Sequence, residues 1–136
     1  MTKARKAVLD VLQSATSPLS AKDVYFQLGD LCNQVTVYRT LHYLEEKGFA
    51  ESFVLHCNAH GTERYYTILE YDAKEKARHH HWFHCEICHQ FTDLGDCTID
   101  SLLERFSRNH AFEIHDHMLS LVGVCKICLD RSSRAN

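Results

Sequence analysis

The sequence predicts an α+β protein in which an N-terminal winged helix-turn-helix precedes a small α/β domain. Three helical segments followed by two β-rich runs give the element order of a winged helix. A polar, charged stretch without apolar periodicity then separates this half from one rich in cysteine and histidine. We therefore expect a winged-helix domain over residues 1–69, a linker over 70–78 and a second domain over 79–136.

Start and stop signals delimit the first three helices. Apolar residues recur at helical spacing over residues 3–15, and Pro18 follows that segment. Ser20 with Asp23 three residues later is a capping-box signature for the second helix. Asn33 can cap the third helix. The inner stripe of this third helix consists of Val37, Leu41 and Leu44.

Two β-rich runs follow the third helix. Phe49–Leu55 and Arg64–Leu69 predict the strands of the wing, with a loop containing Asn58 and Gly61 between them.

The second half alternates short strands with one helix. We expect strands around 82–86 and 90–94, a helix over 98–109 and a strand over 112–123. Met118–Val124 is largely apolar, which is typical of a strand that pairs or forms a dimer. The residues after Leu129 are too polar to pack.

The composition excludes several classes of protein. The 136 residues are 45% hydrophobic and 24% charged, which predicts a folded protein and not a disordered tail. A formal net charge of −3 excludes a uniformly basic nucleic-acid binder but permits a local basic face. Because we find no apolar run of about 18 residues and no signal-peptide core, we expect a cytoplasmic protein without a membrane partner. Seven cysteines, an odd number, beside eleven histidines favour metal sites over disulfides.

Two Cys-x-x-Cys knuckles predict one structural zinc site. Cys85 with Cys88, and Cys125 with Cys128, have the two-residue gap that presents two sulfurs to one tetrahedral ion. The alternatives are a redox pair or chance buried thiols, but a redox pair needs no partner pair. Cys32 is most simply a small buried hydrophobe.

A dense group of histidines is the second candidate metal site. It comprises His79, His80, His81, His84, His115 and His117. Alternate residues of a strand share a face, so His79 and His81 can converge on one ion, and so can His115 and His117. Imidazole suits iron, zinc, manganese and nickel, which leaves the metal open. The alternatives are a surface histidine run or a purification-tag remnant, although the run is internal and adjoins a knuckle.

Taken together, these motifs resemble the Fur (ferric uptake regulator) family of bacterial metal-dependent repressors. The resemblance spans nearly the whole chain. It rests on Val35-Thr-Val-Tyr-Arg-Thr-Leu41, on HHHWFHCEIC at 79–88 and on Gly123-Val-Cys-Lys-Ile-Cys128. It implies a winged helix that reads DNA and a C-terminal α/β domain that dimerises.

The resemblance also implies the metal sites. The family's structural zinc falls on Cys85, Cys88, Cys125 and Cys128. Its dimerisation-domain site falls on His79, His81, Asp100 and His117. For this second site we expect Zn²⁺ or Fe²⁺, with Mn²⁺ or Ni²⁺ open.

The family's hinge site, which normally senses the metal, is altered in this sequence. Pro18, Thr67 and Trp82 stand at ligand positions where they cannot serve as anionic or imidazole ligands, and only His80 remains. The hinge site is therefore expected to be absent or rebuilt. Candidate replacement ligands are His56, Cys57 and His60 of the wing loop, with His84 or Cys97. The alternative is a solvated loop and a core thiol.

A recognition helix places a few side chains against base edges while basic residues neutralise phosphates. The candidates for base contacts are Thr36, Tyr38 and Arg39. Tyr38 lies about 100° from the inner stripe, which favours its exposure. The candidates for phosphate contacts are Lys3, Arg5 and Lys6. The family's usual additional first helix does not precede residue 3, so we expect weaker phosphate contacts.

The predicted partners are a second copy of the chain and a palindromic operator in double-stranded DNA. The predicted function is metal-responsive repression of metal-homeostasis genes, with zinc or iron as the metal, and no enzymatic activity. One alternative is a degenerate regulator that binds DNA independently of metal. The other is a metallohydrolase, although the sequence has no HExxH motif.

Overall fold

The structure is a computed structural model that describes residues 1–71, 73 and 77–134, and its α+β class agrees with the prediction. The helices are α1 (Lys3–Ser14), α2 (Ala21–Leu28), α3 (Gln34–Glu46), α4 (Asp100–His110) and α5 (Lys126–Arg134). The strands are β1 (Leu19–Ser20), β2 (Ala50–Cys57), β3 (Gly61–Ile68), β4 (Glu70–Tyr71), β5 (Ala77–Arg78), β6 (His80–Cys85), β7 (Phe91–Asp96) and β8 (Ser120–Gly123). None of the helices within these residues combines the length and the apolar character that spanning a bilayer requires.

Side-chain caps start the second and third helices as the sequence predicts. The Asp23 amide donates to Ser20 Oγ at 3.1 Å, and the Ser20 amide donates to the Asp23 carboxylate at 3.0 Å. At α3 the Thr36 amide donates to the Asn33 side chain at 2.9 Å. Each cap satisfies N–H groups that a helix start leaves unpaired.

The first three helices enclose one apolar core. The inner stripe of α3 packs here as predicted, because its three members are at most 1% exposed. The buried members of the core are Val8, Leu12, Ala21, Val24, Leu28, Val37, Leu41, Leu44, Ala50 and Tyr66. Burial on this scale is the main force that holds α3 against its neighbours.

The wing is longer than the sequence predicts. Strands β2 and β3 pair antiparallel from Ala50 opposite Ile68 to Cys57 opposite Gly61, and β1 pairs with the other edge of β3. Only residues 58–60 form the turn, so Gly61 belongs to a strand and not to the loop. Polar side chains also pair across the two strands near the turn: His56 Nδ1 of β2 lies 2.8 Å from Thr62 Oγ1 of β3.

A second sheet has the order β7-β6-β8. The central strand β6 pairs antiparallel with β7 and parallel with β8. The predicted strand over 112–123 is therefore correct only at its end, since within the described chain residues 112–119 pair with no strand. After the second knuckle, the polar residues form α5 instead of irregular chain, although Leu129 stays 54% exposed.

Aromatic rings fill the junction between the two halves. The Phe91 ring lies 5.0 Å from that of Tyr65 and 6.3 Å from those of Phe53 and Trp82. In the predicted linker β4 pairs with β5, whereas residues 72 and 74–76 lie outside the described residues. The wing sheet thus contacts the second sheet through an aromatic cluster centred on Phe91.

Candidate metal centres

Two knuckles bring four sulfurs together, as the Cys-x-x-Cys spacing predicts. The sulfurs of Cys85, Cys88, Cys125 and Cys128 all lie within 4.8 Å of one another. The Cys88 and Cys125 sulfurs are 3.8 Å apart. A tetrahedral zinc ion with Zn–S bonds of about 2.3 Å has an S···S edge of about 3.8 Å. The four side chains therefore fit a zinc ion.

The electrostatics of this group also fit a cation. The Cys125 and Cys88 amides donate to Cys85 Sγ at 3.4 and 3.5 Å, and these bonds lower the pKa of Cys85 to about 6. Burial, together with the neighbouring sulfurs, raises the pKa of Cys128 to about 12. Four thiolates at this spacing repel one another, so a bound cation is needed to keep all four deprotonated.

A second group combines three imidazoles with a thiol. Its members are His79, His81, Cys97 and His117. His117 Nε2 lies 3.1 Å from His79 Nε2, 3.3 Å from His81 Nε2 and 3.4 Å from Cys97 Sγ. Nitrogens on a tetrahedral zinc ion are about 3.3–3.4 Å apart. These four residues also fit a metal ion.

The outer nitrogen of His81 holds its ring in place. His81 Nδ1 lies 3.1 Å from the carbonyl oxygen of Leu119, to which it can donate, leaving Nε2 free as a ligand. Burial, and then the nearby His117 and His81 rings, lower the pKa of His79. His79 is thereby held in the neutral form that binds metal.

The fourth member of this group differs from the residue expected by resemblance. The structure places Cys97 among the ligand atoms, while a carboxylate oxygen of Asp100, the expected ligand, lies 3.8 Å from Cys97 Sγ and outside the group. The sequence suggested Cys97 only as a replacement ligand for the hinge site. Cys97 lies in the loop between β7 and α4, where no periodicity constrains position, so the sequence did not assign it to this group.

His80, the one family hinge ligand retained, lies away from the wing-loop candidates. Its Nδ1 is 2.8 Å from Asp93 and its Nε2 is 3.2 Å from Asp96. Burial lowers the pKa of His80, but the hydrogen bond and charge of Asp93 outweigh it, so the net shift is upward. Nearby, burial raises the pKa of Glu51 to about 7.

A third group of possible ligands joins the tip of the wing to the first knuckle. Cys57, His84 and His89 have ligand atoms within 4.8 Å of one another, and His60 packs edge-on against His89 with ring centroids 4.4 Å apart. Of these, the sequence suggested Cys57 and His60 with His84 as a possible partner, but it gave no signal for His89. Burial, followed by the nearby His89 and His60 rings, lowers the pKa of His84.

The outer face of α3 is open to solvent. Tyr38 is 57% exposed, which confirms the prediction that it points outward, and Arg39 is exposed beside it. Thr36 is half-buried at the start of the helix. On α1, Lys3 and Lys6 are exposed.

Arg5 of α1 is held against α3. Its guanidinium lies 3.8 Å from the ring centroid of Tyr43, which is a cation–π contact. Of the three basic residues predicted on α1, Arg5 is therefore the one with a fixed position.

The comparisons with known proteins agree with one another. A model of the Ferric uptake regulator family matches residues 1–122. The ferric uptake regulation protein of Bacillus subtilis is 30% identical over 133 residues, covering 94% of this chain and 84% of its own. That of Neisseria meningitidis serogroup B is 28% identical over 138 residues, covering 98% of this chain and 89% of its own.

Solved structures show the same fold. The Helicobacter pylori ferric uptake regulator matches with a TM-score of 0.69 at 24% identity, covering 95% of this chain and 81% of its own. A zinc uptake regulator complexed with zinc and DNA also has a TM-score of 0.69, at 18% identity, covering 97% of this chain and 85% of its own.

Proposed function

Because the chain belongs to the ferric uptake regulator family, whose members are transcription regulators and not enzymes, we propose that it is a metal-responsive repressor. It binds a palindromic site in double-stranded DNA as a homodimer, and it controls genes of metal homeostasis. The metallohydrolase alternative is set aside on the family assignment.

The observation that carries this proposal is the group of His79, His81, Cys97 and His117. Its ligand atoms come from β6 and the residue before it, from the loop before α4 and from the segment before β8, so their convergence depends on tertiary structure. A ligand set of this kind binds metal best in one arrangement of its elements, and metal therefore favours that arrangement. This group is the proposed regulatory site.

Zinc is the metal we propose for it. One thiolate with three imidazoles is a closed tetrahedral set that suits zinc, whereas manganese(II) favours oxygen ligands and non-haem iron(II) typically takes two imidazoles and a carboxylate with open positions. Bound zinc supplies the positive charge that draws the Cys97 thiolate and the three rings together. The chain's own part is to orient the rings, which the hydrogen bond between His81 Nδ1 and the Leu119 carbonyl supports.

The tetracysteine group, which consists of Cys85, Cys88, Cys125 and Cys128, has a structural role in this proposal. Cys85 ends β6, whereas Cys125 and Cys128 lie at the start of α5, so a zinc ion at this group fastens the terminal helix to the sheet. With four protein ligands the site is closed, as structural zinc sites are.

The proposed dimer interface is an apolar surface on the second half. Leu102 and Phe106 of α4 are 40% and 42% exposed. The segment after α4 contributes Phe112, Ile114, Met118, Leu121 and Val122, which are 36–58% exposed. An exposed apolar surface of this kind is typical of a protein–protein interface. Within the described chain residues 112–119 pair with no strand, so a strand of a second copy could pair with them.

The regulatory group can act on the wing through the aromatic cluster. Trp82 follows His81 in β6, and its ring lies 6.3 Å from that of Phe91, which also contacts Tyr65 and Phe53 of the wing. Ordering of β6 thereby biases the orientation of the wing and of α3. The spacing of two recognition helices in a dimer must match the two half-sites, so this orientation sets DNA affinity.

A gel shift tests the proposal. Palindromic promoter fragments selected from genomic DNA by binding are incubated with reduced protein, with and without a mild chelator. Loss of the complex on chelation, restored by zinc and not by manganese, supports the proposal. Binding that chelation does not change supports a metal-independent regulator instead. One observation favours the metal-independent regulator: Pro18, Thr67 and Trp82, which cannot bind metal, occupy ligand positions of the family hinge site.

A further inference from the structure

The tip of the wing and the first knuckle meet at a set of metal-binding side chains outside the two sites described above. Cys57 is the last residue of β2, and His60 lies in the wing turn. His84 and His89 flank the Cys85-x-x-Cys88 knuckle on either side. Neighbouring residues in a strand face opposite ways. His84 can therefore face the wing while Cys85 faces the structural zinc group.

Burial sets this group apart from a surface histidine cluster. Cys57 is 2% exposed and His84 is 1% exposed. Both side chains are therefore almost fully shielded from water, so the ligand atoms that they offer lie inside the fold and not on its surface.

The distances match those of a coordinated ion. His84 Nε2 and His89 Nδ1 are 3.3 Å apart, close to the edge of about 3.3–3.4 Å between two nitrogens on tetrahedral zinc. The His60 amide donates to Cys57 Sγ at 3.3 Å. Cys85 of the tetracysteine group accepts amide donors at 3.4 and 3.5 Å in the same way. Such donors stabilise a thiolate, which is the form that binds metal.

The backbone at His89 is a further observation. His89 has φ of 61°, in the left-handed region that side chains rarely adopt. Glycine adopts this conformation freely. The turn thus carries an imidazole at a position that favours glycine, so His89→Gly is compatible with the backbone there.

We propose that Cys57, His84 and His89 form a third metal site, specific for zinc, with His60 placed to complete it. One thiolate with two or three imidazoles is a soft, tetrahedral donor set of the kind that selects zinc. The site joins β2 to the loop after β6, so bound zinc fixes the wing to the second sheet. It does not depend on the proposed repressor function, because its occupancy is measurable without DNA.

Zinc stoichiometry of the full-length protein tests the proposal. Reduced protein is saturated with zinc, freed of excess metal by gel filtration and assayed by elemental analysis. His89→Gly removes an imidazole and relieves the strained φ, so it should fold at least as stably as wild type while retaining one zinc fewer per chain. His115, which the sequence suggested as a partner of His117, is exposed, lies 3.0 Å from Glu113 and belongs to none of the three groups of ligand atoms. His115→Ala is therefore the matched control and should retain the wild-type ratio.

Cobalt(II) gives an independent readout of the thiolate. Cys57→Ser should reduce the thiolate-to-cobalt charge-transfer absorption of the fully loaded protein. Cys32→Ser is the matched control, because Cys32 packs against the helical core and belongs to none of the three groups. Zinc should also slow hydrogen exchange of the His60 amide in wild type but not in His89→Gly. Wild-type zinc content in His89→Gly, together with unchanged cobalt absorption in Cys57→Ser, would overturn the proposal.

Discussion

The sulfur of Cys97 lies 3.4 Å from Nε2 of His117, while a carboxylate oxygen of Asp100 lies 3.8 Å from that sulfur. The thiol thus belongs to the group of ligand atoms around His117, and it can donate a hydrogen bond to the carboxylate. This arrangement changes the expected metal preference of the site, because a thiolate favours zinc where a carboxylate would favour harder ions.

The first prediction ranks these two residues. Cys97→Ser should weaken metal binding at the second site more than Asp100→Asn, for which a loss of about 10–100-fold is typical of an outer partner. Competition with a chromophoric chelator measures both affinities. The reverse order would show that Asp100, the residue expected by resemblance, is the direct ligand.

The second prediction concerns the tetracysteine group. Cys88→Ser should lower the free energy of unfolding by several kcal/mol, since structural zinc binding is coupled to folding of the residues that bind it. Thermal unfolding followed by circular dichroism measures the loss. Cys32→Ser provides the control for loss of a thiol, and equal stability of the two variants would argue against a structural zinc ion.

The third prediction separates base contacts from phosphate contacts. Arg39→Ala should weaken operator binding by about 1–3 kcal/mol and relax sequence preference. Lys6→Ala should weaken binding to all sequences alike. It should also reduce by about 1 the magnitude of the slope of log binding constant against log salt concentration. Fluorescence anisotropy at several salt concentrations distinguishes the two effects. His42→Ala, an exposed residue of the same helix paired with Glu46, is the control.

The fourth prediction uses the raised pKa of Glu51. Burial raises this pKa to about 7, so the folded state holds a proton that the unfolded state releases at lower pH. The stabilisation that protonated Glu51 contributes is fully present below the pKa that Glu51 has in the unfolded chain, and it is lost as pH rises through about 7. Glu51→Gln, which stays neutral, should therefore gain stability relative to wild type between about pH 5 and pH 8.

Denaturant unfolding of wild type and Glu51→Gln across this range measures the difference, with Glu104→Gln at an exposed position of α4 as the matched control. A constant difference between wild type and Glu51→Gln at all pH values would contradict the assignment.

Local signals made much of the fold predictable. Ser20 with Asp23 marked the start of α2, and the spacing of Val37, Leu41 and Leu44 identified the buried face of α3. The spacing of the four knuckle cysteines likewise predicted that they would converge. In each case the structure follows from chemistry within a few residues or from a fixed ligand geometry.

The remaining features depend on contacts between distant segments. Cys97 lies in a loop without periodicity, so nothing local shows that its thiol reaches His117. His89 meets Cys57 only because the wing packs over the first knuckle. The segment 112–119 is apolar enough to be read as a strand, yet within the described chain it has no neighbour with which to pair.

The central claim, that metal at the His79–His81–Cys97–His117 group controls DNA binding, is tested most directly by operator affinity as a function of free zinc. Fluorescence anisotropy is measured in zinc-buffered solutions for wild type, Cys97→Ser and the control His115→Ala. We predict that affinity rises with free zinc in wild type and His115→Ala, and that Cys97→Ser needs at least about tenfold more zinc for the same rise. Superimposable zinc dependence in all three proteins would contradict the claim.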